Sequence, residues 1–220
     1  MKAMILVLTP EEGANLLNGN LSILVRKKFP KDFVGQVYAY VARDRNKILS
    51  YQVLPHVPKT SKGYNGFNDK DFDFQFMPLT KTDINNGWGW FVRNNSLNGK
   101  VIARFWCDKV EYIENTYDEF RWGEEDYNTE TLNPDKLYEK SCLSFEEMDK
   151  YLQGDYGYAI NITNLKPFEK PKELNEFNLW QDCGKCWHEE DCDCEKEHCF
   201  FCKTLTRAPR NGWCYVAEIQ

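Results

Sequence analysis

Two hydrophobic periods alternate along this chain. Met4 to Leu8, MILVL, is an unbroken apolar run of strand length, and the following TPEEGANLLNG carries the marks of a short helix. Thr9 stands at the N-cap, Pro10 takes the first helical position, Glu12 completes a capping box and Gly19 terminates the segment. Leu21 to Val25 is apolar apart from Ser22, which suits a strand buried on both faces. Gly35 to Ala42 alternates like a half-buried strand, and Gly99 to Cys107 with Lys109 to Ile113 predicts a strand pair. A second capping box, Ser144 with Glu147, opens a helix that stops at Gly154. A strand starts at Gly157, the two prolines of KPFEKPKEL keep that stretch extended, and GWCYVAEI predicts a last strand. Between these segments, residues 43–98 are rich in Asn, Lys, Gly and Pro, show no clear period, and are expected to hold only a few short elements. Strands outnumber helices, and the first and last segments are apolar strands able to pair. The fold expected is α+β, a small mixed β-barrel with one or two short helices at its rim.

Composition sets the scale of this fold. With 220 residues, 42% of them hydrophobic, the chain can bury one generous core, while a mean hydropathy of -0.66 leaves much surface to water. One domain over 1–220 is expected, with insertions at 43–98 and 179–206. No apolar stretch approaches the roughly 18 residues of a spanning helix, and the opening apolar run is too short for a signal-peptide core. A cytoplasmic protein without a membrane partner is expected.

Charge narrows the partners. A formal charge of -6 and a pI near 5.3 exclude coating of nucleic acid by bulk attraction, so any polyanion site is a local patch. Glu111 to Asp155 holds 14 acidic and 4 basic residues, which predicts a solvated acidic face. The basic counterpart is GNLSILVRKKFPK, in which Arg26, Lys27, Lys28 and Lys31 fall within six positions. Arginine's planar fork suits a phosphate through two hydrogen bonds, and lysines add point charge; the alternative is a solvated basic strand end paired with nearby acid.

The nine cysteines are an odd number and tightly clustered. Cys183, Cys186, Cys192, Cys194, Cys199 and Cys202 fall with His188 and His198 in CGKCWHEEDCDCEKEHCFFC. The pairs Cys183/Cys186 and Cys199/Cys202 have the CxxC spacing of a closed tetrahedral zinc site, so zinc is the expected cofactor, stapling a loop too polar to fold alone. His188, Cys192, Cys194 and His198 supply enough further ligands for a second ion. Disulfides are the competing use of these thiols, in an oxidising compartment. Four thiolates close the coordination shell, which argues against a catalytic ion. Cys107, Cys142 and Cys214 lie in or beside apolar segments and are expected to be packed thiols.

Several stretches taken together resemble the ASCH family, whose members share the PUA-like β-barrel associated with RNA-binding pseudouridine synthase domains. They are the opening MKAMILVLTPEEGANLLNGN, the VRKKFP that follows, GKVIARFWCDKVEYI, SCLSFEEMDKYLQGDYGYAINITNLKPFEKPKELNEF, and RAPRNGWCYV. Larger, phage-associated and Firmicute-type members carry a similar block, sometimes with a cysteine cluster before the last strand. The resemblance thus spans most of the chain outside 43–98 and implies a PUA-like barrel with a zinc-stapled insertion. The family hallmark, Gly-x-Lys-Thr-x-Glu-x-Arg, aligns with Gly19 to Arg26. Gly19 and Arg26 match and Ser22 replaces threonine, but Leu21 and Leu24 replace the lysine and the glutamate. In small members that hydrolyse the amide of an acetylated cytidine, the hydroxyl is implicated as nucleophile and the lysine as its activator. An alcohol without such a base is a poor nucleophile, so Leu21 argues against catalysis here.

The resemblance implies a cleft between the first helix and the barrel. Its candidate nucleic-acid-binding residues are Gly19, Ser22, Arg26, Lys27, Lys28 and Lys31, with Tyr158 and Trp213 at family positions suited to stacking on a base. WGWFVR, with Trp88, Trp90 and Arg93, has the aromatic and basic mix of another platform. The function expected is a non-catalytic module binding RNA or a nucleotide. Two alternatives stand beside it. One is an amidohydrolase acting on a modified nucleoside such as N4-acetylcytidine through Ser22. The other is a module whose acidic belt and zinc lobe meet a protein partner.

Overall fold

The opening apolar run becomes β1, Lys2–Leu8, and the capping box starts α1, Pro10–Leu17. Then come β2, Ile23–Arg26, and β3, Gly35–Val41. The strands β4, Lys47–Pro55, and β5, Phe72–Thr80, form a hairpin, and β6, Lys100–Cys107, β7, Val110–Thr116, and β8, Glu119–Trp122, follow. Two short helices, α2, Pro134–Ser141, and α3, Phe145–Leu152, lead into β9, Gly157–Asn161, β10, Thr163–Glu173, and β11, Trp213–Ala217. This computed structural model describes residues 2–55, 72–85, 96–116, 119–122, 134–153, 156–180 and 204–219.

The chain is α+β, mostly strands in open sheets. A five-stranded sheet has the order β10-β6-β3-β1-β11, a four-stranded sheet has β2-β9-β7-β8, and β4 pairs with β5. No closed barrel is found among the described residues, where a barrel was expected. The first and last strands do pair, antiparallel, with Ile5 opposite Cys214. On its other side β1 runs parallel to β3. Among the described residues no helix is long and apolar enough to cross a membrane.

Three apolar layers explain the sequence pattern. One core lies between the two sheets and α1, and joins Met4, Leu6 and Leu8 to Leu24, Val37, Phe105, Ile160 and Leu16. A second covers the opposite face of the larger sheet, where Ile5, Tyr38, Tyr40 and Val216 meet Phe177 and Leu205. A third packs Ile23, Val25, Ile113 and Ala159 of the smaller sheet against Leu137 of α2 and Met148 and Leu152 of α3. Both β1 and β2 are therefore buried on two faces, which is why each reads as a continuous apolar run. Leu21 and Leu24, 4% and 1% exposed, belong to the core.

The described part of residues 43–98 holds a hairpin of two nine-residue strands, longer than the short elements expected, followed by a three-residue helix, Lys81–Asp83. Two asparagines fasten the hairpin. The Asn18 carboxamide, just past α1, donates to the Phe76 carbonyl (2.9 Å) and accepts from the Phe76 amide (3.0 Å). Asn98 does the same across β4, accepting from the Leu49 amide and donating to the Lys47 carbonyl. The hairpin presses closely on α1, since a Cβ at Gly13 would lie 2.8 Å from Leu49 Cδ2. At the other insertion, Asn178 and Thr204 form an isolated bridge that brings the two ends of the cysteine-bearing segment together.

Candidate functional site

Arg26 closes β2 two residues after Leu24, so both side chains leave the same face of the strand. Leu24 enters the core. Arg26 reaches the core's edge, where β1 gives way to α1. The capping box has already positioned a carboxylate there: Thr9 Oγ1 accepts from the Glu12 amide (3.1 Å), and the Thr9 amide donates to Glu12 Oε2 (2.8 Å). Arg26 Nη1 and Nη2 then donate to Glu12 Oε1 (2.6 Å) and Oε2 (3.1 Å), a two-toothed pair. The same nitrogens donate to the carbonyls of Val25 (2.7 Å) and Val7 (2.9 Å). The guanidinium thus stitches β2, β1 and α1 together while Arg26 remains only 8% exposed. Burial by itself lowers its pKa, but the charge and hydrogen bonds of Glu12, then Tyr151, outweigh this and raise it above the ordinary value. The charge is permanent.

A cleft of about 350 Å³ opens over this pair. Its charged and aromatic lining is Glu12, Arg26, Lys27, Lys28, Tyr151 and Arg210, so four cations face one carboxylate. Glu12 is neutralised by Arg26. Among the described residues no ion pair engages Lys27, Lys28 or Arg210. Lys27 Nζ lies 5.9 Å from the Tyr151 ring centroid, within cation–π range. Aromatic anchors fix the cation-bearing bank: Phe29 packs edge-on to Phe33 and Trp213, and Trp213 Nε1 donates to the Lys28 carbonyl (3.1 Å). Such an arrangement has the charge to attract an anion. It offers little for proton transfer, because both Glu12 oxygens already accept hydrogen bonds.

The sequence-derived candidates divide. Arg26, Lys27 and Lys28 line the cleft. Gly19 and Ser22 sit at the far end of β2, about 13 Å of strand from Arg26. Gly19, at φ 76°, makes the left-handed turn after α1, and the Ser22 backbone bonds to Lys140 and Ile162. Lys31 is exposed on the turn that follows. Trp213 braces a wall of the cleft rather than lining it. Tyr158 lies opposite Arg26 on β9 and packs partly against the central core.

Glu12, Tyr151 and Arg210 were not singled out from sequence. Glu12 reads as a local cap, and nothing in the chain's periodicity reveals that its outer edge meets Arg26. Arg210 stands in RAPRNGW, at the approach to the last strand, and the pairing of first and last strands was the available signal for it.

Cys183, Cys186, Cys199 and Cys202, with His188, Cys192, Cys194 and His198, lie outside the described residues, as do Trp88, Trp90 and Arg93. Among the described residues no group of three or more His, Cys, Asp or Glu is placed to hold a metal. The three cysteines that are described are thiols: burial pushes Cys107 up to about 12 and Cys214 up to about 11, and raises Cys142 above its ordinary value.

No family model matches the chain, and no curated protein matches it significantly.

Proposed function

We propose that this protein is an ASCH-type, PUA-like module that binds RNA or a nucleotide, non-catalytically, in the cleft over Arg26 and Glu12. One observation carries the reading: a protein of formal charge -6 gathers Lys27, Lys28 and Arg210 beside a self-neutralised Arg26–Glu12 pair in a single cleft. A phosphate there meets Lys27, Lys28 and Arg210 across a site prearranged by the buried Arg26. The resemblance of the first helix and β2 region to the ASCH hallmark supports the choice of ligand. The cytoplasm is the proposed compartment. A zinc ion held by Cys183, Cys186, Cys199 and Cys202 is the proposed staple of the 179–206 lobe, whose ends meet at the bridge of Asn178 with Thr204. The amidohydrolase reading gains no support, since Ser22 is not among the cleft residues.

Binding of short labelled RNA, followed by fluorescence anisotropy across a salt series, tests this reading. Three phosphate contacts on a single strand give a log–log slope of about -2. Lys27→Ala, Lys28→Ala and Arg210→Ala should each make that slope shallower by about 0.7. Salt-independent binding, or none, removes the proposal.

A further inference from the structure

The smaller sheet carries a row of aromatic side chains leading away from the cleft. Arg26 pairs with Tyr158 across β2 and β9, and Tyr158 pairs with Tyr112 across β9 and β7. Residues directly opposite one another in antiparallel strands project from the same face. Arg26, Tyr158 and Tyr112 therefore form one cross-strand line on the face that holds Leu24 and Ile160 in the central core. Tyr156 adds a fourth member: its ring lies nearly parallel to that of Tyr112, with centroids 5.5 Å apart and planes 28° apart. Tyr158 meets both rings edge-on at 6.3 Å.

Among the described residues this cluster differs from the aromatic pairs Phe29–Phe33 and Tyr38–Phe177. Phe29, Phe33 and Phe177 are buried, whereas Tyr112 and Tyr156 are 45% and 50% exposed. Exposure of two stacked rings leaves apolar surface in water that a third flat ring would cover. Glu114 lies two residues along β7 on the same face, and after burial its negative charge helps raise the Tyr112 phenol above its ordinary pKa. Its carboxylate repels a phosphate at that end of the row, yet accepts readily from an exocyclic amine on a base edge. Cations at one end and stacked rings beside a carboxylate at the other form a charge gradient that matches a nucleotide chain, whose phosphates and bases differ in the same way.

We propose, building on the reading of the cleft as an RNA or nucleotide site, that the preferred occupant is single-stranded nucleic acid. Its phosphate sits against Lys27, Lys28 and Arg210, and an unpaired base stacks on the Tyr112–Tyr156 slab. The spacing fits. Two strand separations place Tyr112 about 10 Å from Arg26, which is the rise of about three stacked nucleotides at about 3.4 Å each. Tyr158, edge-on between them, holds the slab at its angle. A duplex buries its base faces and offers nothing to this slab.

The test uses the full chain and a labelled homopolymer RNA of about ten nucleotides, compared with an abasic strand of equal length and with a duplex. Tyr112→Ala combined with Tyr156→Ala should weaken binding of the base-bearing strand by about tenfold or more. Tyr112→Phe should leave it within about twofold, since the ring face is retained. The abasic strand should bind the parent protein weakly and be indifferent to the tyrosine changes, a comparison that does not depend on any variant folding. Equal binding of abasic and base-bearing strands, with Lys27→Ala still weakening both, overturns the stacking slab while leaving the cleft reading intact. Tighter binding of duplex than of single strand also overturns it. No salt-dependent binding to any of the three defeats the cleft reading and this inference together.

Discussion

Arg26 does two jobs that a surface cation cannot. It cancels the charge of Glu12, so that this carboxylate does not oppose the neighbouring lysines, and it ties three backbone segments to one another through four hydrogen bonds. Removing one partner of a buried pair strands the other, so Arg26→Ala should cost about 3–5 kcal/mol in urea unfolding. Arg26→Met combined with Glu12→Leu should recover part of that loss, because neither charge is then left alone. Arg26→Lys should not substitute, since an ammonium cannot span both carboxylate oxygens and two carbonyls. The thiols give a separate, pH-dependent effect. Burial raises Cys107 from an ordinary 9.0 to about 12 and Cys214 to about 11. The folded chain thus keeps protons that the unfolded chain releases above pH 9, and stability falls as pH climbs from there toward the folded values. Between about pH 8 and about pH 10 the urea midpoint should drop less in Cys107→Ala than in the parent. At this scale the sequence was informative about type and silent about direction. Arg26 was recognisable as a phosphate-binding residue type, but its engagement with Glu12 depends on a helix and a strand meeting in space.

The capping boxes make the elements readable one at a time. Thr9 with Glu12 and Ser144 with Glu147 mark α1 and α3 to the residue, since each box satisfies amides that no other turn of the helix can. The β4–β5 hairpin was less visible. Phe72, Phe74 and Phe76 alternate with Asp73 and Gln75 at the period of a strand, yet Pro78 and the Asn-rich surroundings read as loop. One of those asparagines, Asn98, is in fact a fastening, as is Asn18 just past α1. Asn18→Ala leaves the Phe76 amide and carbonyl without their partner, and should destabilise the protein by about 1–3 kcal/mol. Hydrogen exchange should speed up first at Phe76, before the strands of the larger sheet respond. Gly157 matters for the opposite reason, closeness. A Cβ there would lie 2.8 Å from Leu152 Cδ2 and 3.2 Å from the Arg26 carbonyl. Gly157→Ala should therefore push α3 off the sheet and shift β2 under its arginine, costing about 1–3 kcal/mol by thermal or urea unfolding. The helix α2 and strand β8 lie in the acidic stretch read as a solvated face. Leu137, fully buried among its charged neighbours, shows that the acid covers an ordinary packed helix.

Taken whole, the molecule separates its charges. Its formal balance is negative, yet among the described residues one cleft gathers three cations that no ion pair engages, and the field there favours an anion. The α+β class and the pairing of first and last strands followed from apolar patterning alone. The cleft did not, because its charged and aromatic residues come from the end of β2, the first turn of α1, the last turn of α3 and the approach to β11, four separate places in the chain. Contact between β1 and β11 helps bring Arg210 into the same cleft as Lys28. The Trp213 indole bonded to the Lys28 carbonyl then has a kinetic meaning. It rivets one bank of the cleft to the other, so among the described residues the gap keeps its width as a guest enters or leaves. Exchange should be rapid in both directions, and a guest is held by how well it matches the gap rather than by being enclosed.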